Sequence, residues 1–259
     1  METGIAGRRA IVCASSRGLG RACAEALAQE GCEVFINGRS EKTLAEATRK
    51  IFELTGNQPI SVVADLNTES GREALLKACP MPDILITNNG GPEPGSNKDW
   101  DMERWQQAVN ANMLSAIMMI QSVVTGMQER SFGRIVNITS AMVKTPRLPL
   151  GLSTAARAGL TAFSKALSVE VARHNVTINN VLPERIATDR LTYMTEQYAM
   201  SKSIDMAQAR EAMVRPIPAR RFGTPEEFAA ACTFLCSSQA GYITGQNLQI
   251  DGGAYSGLI

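Results

Sequence analysis

Short apolar, strand-like runs alternate with helix-length segments along nearly the whole chain. Strands are predicted at 10–14, 33–37, 60–64, 83–87, 134–139, 176–181 and 248–250. Helices are predicted at 19–30, 40–54, 102–129, 154–174 and 224–237. Strands separated by helices of this length run parallel, because a crossover helix returns the chain to the same edge of the sheet. The pattern therefore predicts an α/β fold: one doubly wound parallel sheet of about seven strands with helices on both faces.

One helix start can be identified from its capping residues. Thr224 is a suitable N-cap, Pro225 follows at the first helical position, and Glu227 completes a capping box. The stretch before it, from Pro183 to Gly223, shows no clear periodicity and is too long for an ordinary connection. With no linker or repeat in the sequence, we expect one domain over 1–259, with a substrate lid at about 184–223.

The charge balance and the scarce residues exclude several function classes. Lys+Arg 26 against Asp+Glu 25 leaves a net charge of +1, which predicts no nucleic-acid or membrane partner. A single histidine excludes a histidine-cluster metal site, so no metal is expected. Six cysteines without a CxxC pair indicate a reduced, cytoplasmic protein. We find neither a signal peptide nor about 18 consecutive apolar residues, and therefore expect no membrane span.

A glycine-containing loop joins the first predicted strand to the first helix. Backbone N–H groups of such a loop bind a pyrophosphate at the positive end of the helix, as in a Rossmann-type dinucleotide site; a tight strand-to-helix turn is the structural alternative. The candidate cofactor-binding residues are Ala14, Ser16, Arg17, Gly18, Leu19 and Gly20. Where an NAD site would place an acid, the chain has Gly38 followed by Arg39. Two arginines and no acid favour NADP(H), whose 2′-phosphate a guanidinium can bind, although either arginine could be a surface charge.

At this point the sequence resembles the short-chain dehydrogenase/reductase family over nearly its whole length. CASSRGLG at 13–20 is similar to the family's TGxxxGxG loop, and Asn88-Asn89-Gly90-Gly91 to its NNAG motif. Further ordered matches are Asp65, Leu66, Asn112, Ser140, Asn179, Pro183 and the runs 218–227 and 243–253. The resemblance implies that Asp65 and Leu66 contact adenine and that Asn89, Gly90 and Pro183 belong to the cofactor site. It also implies that Ser140 and Asn112 are active-site residues.

The resemblance fails at the family's YxxxK motif, whose tyrosine transfers a proton to the substrate oxygen. The corresponding stretch reads Ser153-Thr154-Ala155-Ala156-Arg157, so both members of the pair are replaced. A serine hydroxyl can polarise a carbonyl by hydrogen bonding but is a poor proton donor. Arg157 stays charged, and can hydrogen-bond a ribose or bind a carboxylate or phosphate.

Other residues could supply the missing proton. Glu184 follows Pro183, where the family usually has glycine beside the nicotinamide, and a shielded carboxyl there could act as acid or base. An exposed lid residue is the simpler interpretation of Glu184, and the one we favour. Tyr193 and Tyr198 lie in the same lid, and His174 ends a helix, where a surface role is the ordinary one. Met194, Met200, Met206 and Met213 suit either an apolar pocket wall or helix packing.

Two principal function hypotheses remain. The first is an NADP-dependent oxidoreductase that interconverts a carbonyl and an alcohol on a small, partly apolar substrate by an atypical proton route. Its catalytic residues would be Asn112, Ser140, Ser153, Arg157 and Glu184. The second is a catalytically silent NADP-binding sensor or structural subunit; a lyase using Glu184 is a third, weaker option. The long apolar helices, together with the resemblance, predict a homotetramer or homodimer.

Overall fold

The computed structural model describes residues 2–258 and contains one parallel seven-stranded sheet of order β3-β2-β1-β4-β5-β6-β7. The strands are β1 Arg9–Val12, β2 Glu33–Gly38, β3 Ile60–Val63, β4 Ile84–Thr87, β5 Gly133–Ile138, β6 Val176–Pro183 and β7 Asn247–Ile250. Every pairing is parallel, so all the carboxyl ends lie at one edge of the sheet. The predicted fold class is confirmed.

Helices cover both faces of the sheet. They are α1 Gly18–Gln29, α2 Glu41–Thr55, α3 Glu69–Ala78, α4 Met102–Val109, α5 Ser115–Glu129, α6 Gly151–Val171, α7 Asp189–Lys202, α8 Met206–Val214 and α9 Pro225–Cys236. Alternate side chains of a strand point to opposite faces, so Ala10 and Val12 pack with α1, α2 and α9. Ile11, between them, packs with α3, α5 and α6. The β1–β4 boundary, where the strand order reverses, is where ligands bind in open α/β sheets.

Three helices were absent from the sequence prediction. Helix α3 begins at the N-cap Thr68, whose hydroxyl accepts from Gly71 N. The segment predicted to be irregular contains α7, capped by Thr188, and α8, opened by a capping box of Asp205 and Gln208. The prediction that this segment is irregular is therefore wrong, whereas its role as a substrate lid stays a prediction. The capping box predicted for α9 is present, with Thr224 and Glu227 exchanging their hydrogen bonds.

The long helix predicted at 102–129 is broken by a π-helical turn. Residues Asn110–Leu114 form this turn between α4 and α5, and it contains the buried Asn112. Such turns occur often at functional sites. By length and composition alone, the stretch Met102–Glu129 could cross a membrane, with an 18-residue window of mean hydropathy 1.3. Core helices pass the same test, and α5 packs Met119, Ile120 and Val123 into the core against the sheet.

Candidate active site

The loop after β1 turns sharply before α1 begins. Ala14 has a φ of 45° and Gly18 a φ of 57°, which is the left-handed region that glycine adopts most easily. Asn88, at the end of β4, donates from Nδ2 to the Ala14 carbonyl at 3.2 Å. The loop is therefore fixed to the neighbouring strand, and it directs the N-terminus of α1 at the carboxyl edge of the sheet.

Gly20 permits the close approach of α1 to this loop. A Cβ atom on Gly20 would lie 2.5 Å from the Ala14 carbonyl oxygen and 3.0 Å from the Asn88 amide nitrogen. We expect Gly20→Ala to destabilise the fold by about 1–3 kcal/mol, because the helix must move away from a backbone atom. The measurement is urea unfolding. The matched control is Gly126→Ala in α5, where, apart from the neighbouring residues and the backbone of the helix itself, the new Cβ would meet only the flexible end of the Arg130 side chain among residues 2–258. A Gly20→Ala protein as stable as Gly126→Ala would contradict this explanation.

A cavity of about 580 Å³ opens at the carboxyl edge of the sheet, beside the loop of residues 14–20 between β1 and α1. We call this segment the phosphate-type loop. The cavity is lined by most of the residues predicted for the cofactor: Ala14, Ser16, Arg17, Gly18, Leu19, Asn89, Gly90, Arg157 and Pro183. Four predicted catalytic residues also line it: Ser140, Ser153, Arg157 and Glu184. The structure therefore brings the loop and the candidate catalytic groups to one cavity.

Four predicted cofactor residues do not line this cavity: Gly20, Arg39, Asp65 and Leu66. Arg39 is exposed one residue beyond β2, beside Ser40, the N-cap of α2. Asp65 is half-buried, and its carboxylate accepts from Asn67 N at 3.0 Å. Leu66 is 5% exposed and packs in the core.

Ser153, Asn112 and Arg157 form one hydrogen-bonded group. The Ser153 hydroxyl donates to Asn112 Oδ1 at 2.9 Å and accepts from Arg157 Nε at 3.0 Å. Asn112 Nδ2 donates in turn to the Gly90 carbonyl at 2.9 Å. Asn112 thus holds the Ser153 hydroxyl in place but does not itself line the large cavity. In this arrangement the Ser153 hydrogen is already committed to Asn112 and is not available to a substrate.

Arg157 is 9% exposed. Among residues 2–258 all its hydrogen-bond partners are neutral groups, and it forms no ion pair. Nη1 donates to the Ile138 carbonyl at 2.6 Å, and Nη2 to the Asn89 carbonyl at 3.2 Å. Burial lowers the pKa of the Arg157 guanidinium to about 10, with a smaller contribution from the nearby Arg190. Arg157 therefore remains a cation at neutral pH and ties α6 to the ends of β4 and β5.

Ser140 follows β5, and among residues 2–258 its hydroxyl hydrogen has no acceptor. Its hydroxyl oxygen accepts from Met142 N at 3.2 Å, which caps a short 3₁₀ turn over Ala141–Val143. A hydroxyl has one donor and two acceptor positions, so the Ser140 hydrogen remains free to reach a substrate oxygen in the cavity. The turn fixes the position of the oxygen atom while leaving that hydrogen to rotate.

Glu184 is shielded, and the favoured expectation of an exposed lid residue is wrong. Its side chain is 9% exposed and lies 3.2 Å from Arg147 and 3.9 Å from Arg185. Arg147 comes from the segment after β5, so the pair joins two walls of the cavity. Only the folded chain brings these groups together, since 37 residues separate Arg147 from Glu184 in the sequence.

The other candidate proton donors lie elsewhere. Tyr193 and Tyr198 are on α7, 41% and 36% exposed, and neither lines the cavity. His174 ends a 3₁₀ turn after α6 and accepts from Arg173 Nε at 3.0 Å. Of the four lid methionines, Met194 and Met213 line the cavity, whereas Met200 and Met206 are exposed.

The family model described as "Enoyl-(Acyl carrier protein) reductase" matches residues 13–255. The chain belongs to the short-chain dehydrogenase/reductase family. It is 32% identical to the 3-oxoacyl-[acyl-carrier-protein] reductase FabG of Vibrio harveyi, covering 96% of this chain and 98% of the relative. It is 30% identical to the NADPH-dependent reductase BacG of Bacillus subtilis, covering 97% and 99%.

Solved structures of short-chain dehydrogenase/reductase proteins superimpose closely on this chain. L-Sorbose reductase from Gluconobacter frateurii, complexed with NADPH and L-sorbose, gives a TM-score of 0.94 at 29% identity, covering 100% of both chains. YwfH, an NADPH-dependent reductase involved in bacilysin biosynthesis, gives 0.91 at 29% identity, covering 98% of this chain and 100% of the other. The sequence prediction of an NADP(H)-dependent oxidoreductase agrees with these relatives.

Sequence reasoning missed several cavity residues of this family member, among them Arg147, Arg185, Thr188 and Arg190. They come from segments that carry no recognisable motif, and their role as cavity walls follows from tertiary folding alone. Within residues 2–258 no group of three or more His, Cys, Asp or Glu is arranged to hold a metal ion. All six cysteines are free and buried.

Proposed function

We propose that the chain is an NADP(H)-dependent oxidoreductase that interconverts a carbonyl and an alcohol on a small, partly apolar substrate without a phenol proton donor. The observation that carries this proposal is the single cavity shared by the phosphate-type loop and by Ser140, Ser153 and Arg157. The relatives named above, a FabG reductase and two NADPH-dependent reductases, support the reaction class.

The chain's own residues fit a dinucleotide phosphate cofactor. The left-handed Ala14 and Gly18 expose the backbone at the start of α1, and Arg17 is an exposed cation in the same loop. Arg39 follows β2, where a carboxylate would repel a 2′-phosphate. When bound, the cofactor supplies or accepts hydride at its nicotinamide. The protein's part is to hold it against the substrate and to stabilise charge on the substrate oxygen.

In this proposal, Ser140 and Arg157 stabilise the charge on the substrate oxygen. The Ser140 hydroxyl donates to the substrate oxygen, and the buried Arg157 cation stabilises the negative charge that develops there as hydride arrives. Ser153 positions Arg157 through the bond from Nε and has no free hydrogen to transfer. The proton then comes from water in the cavity, and no tyrosine is needed.

Cofactor selectivity provides a first prediction. We expect the double variant Arg17→Ala/Arg39→Ala to lose about tenfold or more of its NADPH affinity and to keep its NADH affinity, since charge-assisted bonds to the 2′-phosphate are removed. Fluorescence titration of both cofactors measures this. Arg49→Ala on α2 is the matched control, because it removes an exposed arginine whose only ion pair among residues 2–258 is with Glu53. Equal losses for NADPH and NADH would contradict the assignment of these arginines to the 2′-phosphate.

The closed hydrogen-bond group around Ser153 also favours a second function, a catalytically silent NADP-binding sensor or structural subunit. Homogeneous protein should be assayed with NADPH against ketones, aldehydes and imines. Multiple turnovers that Ser140→Ala abolishes support the enzyme, whereas tight NADPH binding with no turnover across the panel supports the silent protein. Retained activity in Glu184→Gln would argue against a lyase or isomerase that uses this carboxylate.

Assembly and location complete the proposal. Leu114 at the end of the π-helical turn, Met118 on α5 and Val169 on α6 are exposed apolar side chains. Their burial against a second copy would suit a homodimer or homotetramer. The six free, buried cysteines suit a reducing, cytoplasmic compartment. Sedimentation at several protein concentrations tests the oligomeric state, and a monomer at all of them would contradict it.

A further inference from the structure

The half of the cavity near Ser153 carries more positive charge than its carboxylates neutralise. Five arginines line the cavity: Arg17, Arg147, Arg157, Arg185 and Arg190. Among residues 2–258 the only lining carboxylates are Glu184 and Asp189. Arg17 belongs to the phosphate-type loop, where the cofactor accounts for it. The remaining four line the cavity outside that loop.

Most of this charge cannot be assigned to Glu184. That single carboxylate is shared by Arg147, at 3.2 Å, and Arg185, at 3.9 Å. Asp189 is exposed in the first turn of α7 and forms none of the ion pairs found in the described chain. Of these four arginines, Arg157 and Arg190 are therefore the two without an ion pair to a carboxylate of the cavity wall.

Arg190 reaches from the lid to the position of Ser153. A Cβ atom on Gly91 would lie 3.6 Å from Ser153 Oγ, 3.8 Å from Asn112 Oδ1 and 3.9 Å from Arg190 Nη2. The Arg190 guanidinium and the Ser153 hydroxyl thus flank one small region of space at the Gly91 backbone.

Arg190 is oriented but not saturated. Nη2 donates to the Pro92 carbonyl at 3.0 Å, which fixes the plane of the guanidinium. Its one ion pair in the described chain is with Glu93 at 3.9 Å, and Glu93 has a side chain that is 66% exposed. A guanidinium has five N–H donors, so most of them remain for a ligand. A loose pair with an exposed carboxylate is easily exchanged for a better anion.

Two further features make this region attractive to an anion. Arg157 and Arg190 both line the cavity, and the pKa of Arg157, lowered mainly by burial, is lowered further by the like charge of Arg190. Helix α6 begins at the same wall, with Leu150, Ser153 and Thr154 lining the cavity. Its first turn has neither a capping side chain nor an acid to offset the positive end of the helix dipole.

We propose that the substrate carries a small oxyanion, a carboxylate or phosphate close to its carbonyl, and that Arg190 binds it beside Ser153. The inference rests on the proposed function and names the substrate class for the same cavity. Arg190 is a specificity-determining residue: it binds the anion in a planar, charge-assisted pair. The buried charge of Arg157 adds to the attraction from the opposite side. The apolar side chains Met194 and Met213 then contact the rest of the substrate.

The kinetic test uses matched pairs that differ only in the charged group. With saturating NADPH, kcat/KM is measured for 3-oxobutanoate against its methyl ester, and for dihydroxyacetone phosphate against dihydroxyacetone. We expect the charged member of at least one pair to be preferred by about tenfold or more. Arg190→Leu should remove most of that preference, and Arg190→Lys part of it. Arg49→Leu, with the same loss of charge on the exposed face of α2, should keep the preference. Turnover without preference in either pair, or a preference unchanged in Arg190→Leu, overturns the inference but not the proposed function.

A binding measurement separates the two proposals if turnover is absent. The enzyme–NADP⁺ complex cannot reduce a ketone, so calorimetric titration of that complex with 3-oxobutanoate or dihydroxyacetone phosphate reports binding alone. Binding that Arg190→Leu weakens supports the anion site even where the oxidoreductase proposal has failed. No heat with either anion overturns the anion site. An Arg190→Leu protein that loses NADPH affinity but binds the anions normally also overturns it, because Arg190 would then belong to the cofactor.

Discussion

Replacing Ser140 with alanine is expected to lower kcat/KM for carbonyl reduction by about 10²–10³-fold, the effect of removing one donor to a developing oxyanion. The hydroxyl oxygen is fixed by Met142 N, and its hydrogen is the free donor of this serine in the cavity. Because Ser153 is bonded to Asn112, it cannot take over that role without breaking its own hydrogen bond. The loss should fall mainly on kcat, since the bond strengthens as charge develops on the oxygen.

The control for this prediction is Ser96→Ala. Ser96 also caps a 3₁₀ turn by accepting from the amide two residues later, at Lys98 N, and it does not line the cavity. Both variants lose a cap of similar geometry, so their unfolding free energies should change by similar amounts. A Ser140→Ala enzyme as active as Ser96→Ala would contradict the assignment of Ser140 to the substrate oxygen.

Supplying a phenol should accelerate the reaction. We expect the double variant Ser153→Tyr/Arg157→Lys to raise kcat/KM at neutral pH by about tenfold to 10²-fold, since general acid catalysis typically contributes 10²–10⁴-fold. The cavity of about 580 Å³ in front of Ser153 has room for the ring. Lysine at 157 keeps a cation at the position where burial lowers the pKa of arginine to about 10.

Ser153→Phe/Arg157→Lys isolates the hydroxyl. This control introduces the same ring and the same lysine but no acidic proton, so any gain in the first variant and not in the second belongs to the phenol. Cofactor titration shows whether both variants still bind NADPH. If the tyrosine variant binds NADPH normally and is slower than the unmodified chain, the native group of Ser153 and Arg157 already performs the proton transfer, and the proposed route is wrong.

The sequence was most informative where local signals act alone. Thr224, Pro225 and Glu227 carry a complete helix start within four residues, and the structure contains it. The caps of α7 and α8 are equally local, at Thr188 and at Asp205 with Gln208. These two helices were nevertheless not predicted, because their apolar residues show only weak helical periodicity. The strands were predicted to within about two residues because buried parallel strands form continuous apolar runs.

The candidate site was predicted only in part, because several of its contacts join distant segments. The order of the motifs identified Ser153 and Arg157. Two of the three acceptors that hold Arg157, however, are the carbonyls of Ile138, at the end of β5, and Asn89, just after β4. Glu184 pairs with Arg147, and Arg190 is held by the carbonyl of Pro92, so both contacts join distant segments. Neither arginine lies in a motif, so their chemistry becomes visible only after folding.

The pH dependence of kcat/KM for NADPH-driven reduction by the unmodified chain tests the central claim most directly. A serine and a buried arginine do not titrate near neutrality, so the rate should be constant from about pH 6 to pH 9. It should fall at higher pH as Arg157, with a pKa lowered to about 10, loses the proton and with it the charge that stabilises the substrate oxygen. A rate that falls as the pH rises through about 6–8 would reveal a titrating proton donor, and no NADPH consumption at any pH would mean that the chain is not this enzyme. Either result would contradict the account.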